Sequence, residues 1–209
     1  MLALVMESSY ELGYAPRAVV DDDESASMRQ AMERYAGGDV AAFHTLYRAI
    51  SPRLLGYLAG LLGDRAAAED ALQQTFIRLH EARSSYVQGA DPAPWIFTIG
   101  HRLALDELRR RKRARVRLAG AEERLPEPRA DLDGSKEGSV DVPDERIEVT
   151  LALVQQLPLA QRAAIMLTKV EGRSLAEAAA ITGTTVSAIK LRAHRAYVTL
   201  RKRVGKAKA

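Results

Sequence analysis

The stretch TGTTVSAIKLRAHRAYVTLRKR, Thr182 to Arg203, holds the residue types and spacing with the clearest chemistry in the chain. At 100° per residue, Val186, Ile189, Ala193, Ala196 and Leu200 fall on one side of a helix and predict a buried stripe. The opposite side carries Ser187, Leu191, His194, Arg195 and Lys202, with Lys190 and Arg192 on its flanks. No acidic residue follows Glu177, whereas a merely solvated face usually intersperses both signs. A face of one sign suits a polyanion.

The residues just upstream say how that helix is presented. Ser174 and Glu177 have the spacing of a capping box for the short helix SLAEAAAI, Gly183 makes a turn, and Thr185 caps the longer basic helix. Short helix, glycine turn and basic helix together form the helix-turn-helix pattern, in which residues near the start of the second helix reach base edges and others hold phosphates. Ser187, Leu191, His194 and Arg195 are the base-edge candidates and Lys190 and Arg192 the phosphate candidates. Arg195 is the strongest of them, because one guanidinium can hold guanine O6 and N7 together.

A second cationic track lies on a predicted helix from Trp95 to Arg113. Thr98, Arg102, Arg109 and Arg113 share a polar stripe between Ile96, Ile99 and Leu103 on one side and Phe97, Ala104 and Leu108 on the other. Trp95 heads the stripe. It reads either as core packing or as an aromatic platform for unpaired bases, and in the second reading Tyr86 of the preceding loop joins it. On the helix before that loop, about Arg65 to Arg83, Leu72, Phe76 and Leu79 point inward while Asp70, Gln73 and Gln74 lie away from the stripe.

Catalytic constellations are missing. The four histidines, His44, His80, His101 and His194, stand singly, and His80-Glu81 lacks the second histidine of a zinc-protease motif. There is no Gly-rich phosphate loop, nucleophile elbow or paired-carboxylate signature, so neither cofactor, metal nor small-molecule substrate is expected. The chain has no cysteine, which excludes disulfides and thiolate metal sites. No run approaches the roughly 18 apolar residues of a membrane span, and MLALVM lacks the flanks of an export signal, so a cytoplasmic location without membrane insertion is expected.

The elements that must position these residues are all helical. Residues 1–26 read as a mobile tail, and helical periodicity starts at Gly38, with Asp39 as N-cap and a restart at Ser51-Pro52. SSYVQGADPAP is a loop, and Asp91-Pro92 starts the Trp95 helix. The net charge of +4 hides segregation, with LRRRKRARVRL at 108–118 and RKRVGKAKA at the C-terminus set against acidic stretches at 20–25 and 119–148. The expected organisation is all-α: a helical domain at 27–114, a flexible acidic linker at 115–142 and a helix-turn-helix domain at 143–209.

This arrangement resembles the extracytoplasmic-function (ECF) group of bacterial RNA polymerase sigma factors. Asp70, Gln73 and Phe76 match the Asp-x-x-Gln-x-x-Phe signature of the family's region 2, PWIFTIGHRLALDELRRRKR is similar to its Trp-led helix, and LPLAQRAAIMLTKVEGRSLAEAAAITGTTVSAIKLRAHRAYVTLRKR is similar to its region 4 domain. The resemblance implies that Asp70, Gln73 and Gln74 dock on core RNA polymerase. It implies further that Tyr86, Trp95, Thr98, Arg102, Arg109 and Arg113 open and hold the −10 element of promoter DNA. Thr185, Ser187, Lys190, Leu191, Arg192, His194 and Arg195 would read the −35 element, and an anti-sigma factor would clamp both domains. Two departures stand out: Arg102 where many relatives have asparagine, and Glu177-Ala178-Ala179 where Glu-Ile-Ala is usual. The alternative from the residues alone is a stand-alone helix-turn-helix regulator, which needs a dimer surface or effector pocket.

Overall fold

The computed structural model describes residues 22–121 and 152–207, and among them every regular element is helical. Helix α1 spans Asp22–Ala36, overlapping the stretch expected to be tail. Met28, Ala31, Met32 and Tyr35, one side of a helix, are at most 5% exposed, and that burial, with an acidic first turn that complements the helix dipole, forms the helix. Helix α2, Ala42–Leu62, packs on α1 and runs unbroken through Pro52, against the expected restart. A proline inside a helix costs about 3 kcal/mol, but Leu54, Tyr57, Leu58 and Leu61 lie beyond it and are fully buried. At about 1.5–3 kcal/mol each their burial decides the matter. Asp39 accepts from the Ala41 amide and makes the turn before α2, not the cap of its first turn.

Gly63 ends α2, and Asp64 caps α3, Arg65–Ala82, accepting from the Ala67 amide. A 3-10 turn, Arg83–Ser85, leads into the loop at 86–91, and α4 then spans Pro92–Ala121. This helix continues past Ala114 into the expected linker. The apolar period does end there, but Ala and Arg are strong helix formers and carry on a helix whose preceding turns are pinned by Asp106 and Glu107, paired with Arg109, Arg110 and Arg111 at spacings of three and four. Residues 122–151, which include most of that linker and the start of the second domain, lie outside the described residues, as does the tail at 1–21.

After a helical turn at 152–155, helix α5 spans Leu159–Ile165 and continues as a π-helical turn, Met166–Val170. Helix α6, Leu175–Thr182, and helix α7, Val186–Ala207, follow. The α6 N-terminus has the complete reciprocal capping box of Ser174 and Glu177, and Gly183 stops it at φ 63°, a left-handed conformation that costs glycine little. Helix α7 buries Ile189, Ala196 and Leu200 against α5 and α6, as the period predicts. Val186 departs from the expected stripe: it is 46% exposed, because it sits at the first helical position where no neighbouring helix covers it.

The two groups of helices share one interface. Helix α6 packs on α4, and α5 on α2. A Cβ on Gly60 would lie 2.5 Å from Met166 Cε, so the glycine is what lets that methionine seat on α2. Arg53 Nε donates to Glu171 Oε2 at 3.1 Å and its Nη2 to the Glu171 carbonyl, both side chains being almost completely buried. Gln155 Nε2 donates to the carbonyls of Ala59 and Gly60, and Arg162 Nη1 to that of Leu61. Arg173 lies over the Phe97 ring at 5.3 Å and reaches Asp91 and Glu177 at 3.3 Å.

Candidate nucleic-acid interface

Helix α7 presents its cations where the sequence places them. Ser187, Lys190, Leu191, His194 and Arg195 are exposed, and Arg192 is half-buried. Thr185 Oγ1 accepts from the Ala188 amide at 3.2 Å, which caps the helix and turns its first residues outward. Leu191 lies opposite the buried Ile189–Ala196 side and is 48% exposed. An exposed leucine between Lys190 and Arg192 offers an apolar surface of the kind that meets a thymine methyl in the major groove.

The second cluster is built by the loop at 86–91 and the first turns of α4. Tyr86 and Trp95 stack with ring centroids 6.0 Å apart and planes 29° from parallel. Both rings are half-buried, so Trp95 joins core packing on one side and remains accessible on the other. Burial is the main cause that raises the Tyr86 hydroxyl above the ordinary tyrosine value, with Glu33 adding to it, so the ring stacks as a neutral phenol. Thr98 Oγ1 donates to the Pro94 carbonyl at 2.7 Å. That commits its proton and leaves the oxygen as an acceptor. Arg102 is exposed a turn further on, while Arg109 is tied to Asp106 at 2.9 Å.

Arg113 parts company with this cluster. It lines a groove of about 670 Å3 between α3 and α4, together with Asp70, Gln73, Gln74, Asp106 and Arg110. Asp70, Gln73 and Gln74 are exposed on the α3 wall, and the Asp64, Glu107 and Arg111 ion pairs hold the two helices together at its end. The Asp64 and Glu107 carboxyls lie below their ordinary values: for Asp64 the Ala67 amide is the largest cause, with Arg111 adding to it, and for Glu107 the hydrogen bond from Arg110, then that from Arg111. A mixed-charge groove of this kind suits another protein's polar surface better than a phosphate backbone.

Sequence reasoning missed four participants. Glu33 on α1 accepts from the Gly89 amide in the loop. Arg173 and the Arg53–Glu171 pair join the two domains across separations of 82 and 118 residues. The first could have been suspected from the Met28–Tyr35 helical period, which places Glu33 beside it. The others carry no local signal. Among the described residues no cluster of His, Cys, Asp and Glu could hold a metal, and no helix is long and apolar enough to cross a membrane.

Two family models match this chain: sigma-70 region 2 over residues 46–114 and sigma-70 region 4 over residues 147–200. The chain is similar to the RNA polymerase sigma factor CarQ of Myxococcus xanthus, at 36% identity over 83% of this chain and 95% of the relative. It is similar to the ECF RNA polymerase sigma factor BldN of Streptomyces coelicolor at 31% identity over 86% of this chain and 66% of the relative. Among solved structures it resembles the sigma factor RpoE of Bartonella quintana, in complex with the anti-sigma factor NepR. The TM-score is 0.59 at 26% identity, over 79% of this chain and 98% of the other.

Proposed function

Because the chain belongs to the ECF group of RNA polymerase sigma factors, we propose that its two helical units divide promoter recognition between them. Both would act while core polymerase holds the protein in place. The exposed face of Asp70, Gln73 and Gln74, with the groove beside it, docks on the polymerase. Tyr86, Trp95, Thr98 and Arg102 capture the −10 element as single strand, with Arg109 along the same track. Arg113, on the groove, serves the polymerase side of that boundary. Thr185, Ser187, Lys190, Leu191, Arg192, His194 and Arg195 read the −35 element as duplex.

The chemistry asked of the protein is binding, not bond-making. Melting without ATP depends on trapping an unstacked base, whose extraction costs a few kcal/mol. A Tyr–Trp platform recovers about 1–3 kcal/mol per stacked base, and the neighbouring arginine holds the backbone. The protein performs no catalysis of its own, works in the cytoplasm, and is held inactive by an anti-sigma factor that engages both domains.

The observation that carries this reading is the Tyr86–Trp95 stack beside exposed Arg102, on a domain separate from the helix-turn-helix. A stand-alone helix-turn-helix regulator would have no use for it. The test is co-purification with core RNA polymerase and salt-sensitive run-off transcription from a promoter the holoenzyme selects. Tight binding of promoter duplex by the protein alone, with indifference to core enzyme, would sink the reading.

A further inference from the structure

The loop at 86–91 is short, and its shape rests on few ties. Two are internal: the Tyr86 hydroxyl donates to the Ala90 carbonyl, and the Ala90 amide to that of Val87. Two join it to the flanking helical turns: the Tyr86 amide donates to the Arg83 carbonyl, and Asp91 Oδ1 accepts from the Ala93 amide. A fifth runs to the other domain, from Arg173 to Asp91 Oδ2. The sixth comes from α1: the Gly89 amide donates to Glu33 Oε1 at 2.9 Å, across 56 residues of sequence.

The last tie differs from the rest in two respects. Gly89 is at φ 81°, where only glycine sits without strain, and this turns its amide away from the exposed tip and toward α1. A charged acceptor on that amide makes a stronger bond than a neutral one, so the left-handed turn is held and not merely allowed. The tip itself points outward, with Val87 71% exposed. Helix α1 in turn is rigid where Glu33 leaves it, because Met32 and Tyr35 on either side are buried. Separation of the domains would remove the Arg173 tie, whereas Glu33 belongs to the same domain as the loop and stays. Residue 33 also lies before the region 2 match, which begins at residue 46.

We propose that Glu33 is a positioning residue for −10 capture: by holding the Gly89 amide it presets the loop that, with Trp95, receives the unpaired base. The inference rests on the −10 role given above to Tyr86 and Trp95. A preset loop loses less conformational freedom on binding than a free one, so the effect belongs to single-strand affinity and to promoter opening.

The experiment uses holoenzyme assembled from the full chain and core polymerase. The probes are a fork DNA with a duplex −35 and a single-stranded −10 segment, taken from a promoter the wild-type holoenzyme opens, and the matching full duplex. Glu33→Ala should weaken fork binding about tenfold, with core affinity and melting temperature unchanged. Glu33→Gln keeps an oxygen acceptor for the Gly89 amide and should recover most of that loss. Equal fork binding by wild type and Glu33→Ala would overturn the proposal, as would a Gln variant as poor as Ala, or losses that track core affinity and melting temperature. A wild-type holoenzyme with no preference for fork over duplex would instead overturn the −10 reading itself, and the role of Glu33 with it.

Discussion

Arg195 and Lys190 stand five positions apart on one cationic helix, both exposed, and the proposed −35 reading gives them different tasks. In that reading Arg195 approaches base edges, while Lys190 on the flank holds phosphates. Arg195→Ala should cost about 1–3 kcal/mol and relax the preference at one −35 position. Lys190→Ala should weaken all sequences alike and lower the salt slope by about one. Holoenzyme binding to a panel of −35 duplexes at several salt concentrations separates the two, and matching profiles for both mutants would refute the assignment. His101 shows a residue whose setting governs stability instead. It is 4% exposed, its Nδ1 sits 2.8 Å from the Tyr57 hydroxyl, and burial, then the Arg102 charge, lowers its pKa from 6.5 to about 4. Between those values the unfolded chain binds more protons than the folded one, so stability rises with pH. The contribution is complete above about pH 6.5 and is lost as pH falls toward 4, at most about 3 kcal/mol. His101→Gln should therefore flatten the change in urea midpoint between about pH 7 and pH 5.

Helix α6 shows how an element can be legible and still depend on its ends. Its eight residues are too few to be helical alone, so the capping box and packing on α4 and α7 must hold it. Ser174→Ala removes the acceptor for the Glu177 amide and should destabilise the second domain by about 1 kcal/mol, read from chemical denaturation. A change well below the error of that measurement would mean that packing alone suffices. The capping box, the Gly183 turn and the α7 stripe were all legible because each is a contact over three or four residues. Helix α1 was equally legible in the spacing of Met28, Ala31, Met32 and Tyr35, but the acidic run before it obscured the period. The extension of α4 to Ala121 was not, since a helix carried on by the propensity of Ala and Arg leaves no apolar stripe to read.

At the scale of the molecule, α4 and α6 are in contact, which places the helix-turn-helix against the element assigned to the −10 strand. Two promoter elements about 25 base pairs apart are separated by some 85 Å at ~3.4 Å per pair. If both are read as proposed, the domains must part first. One of its buried ties favours parting: Arg173 keeps Nε and Nη2 without hydrogen-bond partners among the described residues, at a cost of about 1–3 kcal/mol each. Arg53→Glu or Glu171→Arg alone should open the protein, since either leaves like charges facing each other in a dry interface, and the double exchange should close it again. Energy transfer between dyes on α1 and α7 would report both outcomes; a double mutant as open as the singles would show that the pair does not hold the interface. By itself the sequence determined the all-helical class, the two cationic helices, the cap of α6 and the outward residues of α7, because periodicity, capping and charge asymmetry are local. Only the tertiary structure decided that Glu33 reaches Gly89, that Arg113 belongs to the groove of Asp70, and that Arg53 and Arg173 close one domain on the other. Those contacts join residues tens to more than a hundred positions apart, and no short-range pattern encodes which buried charge will meet which.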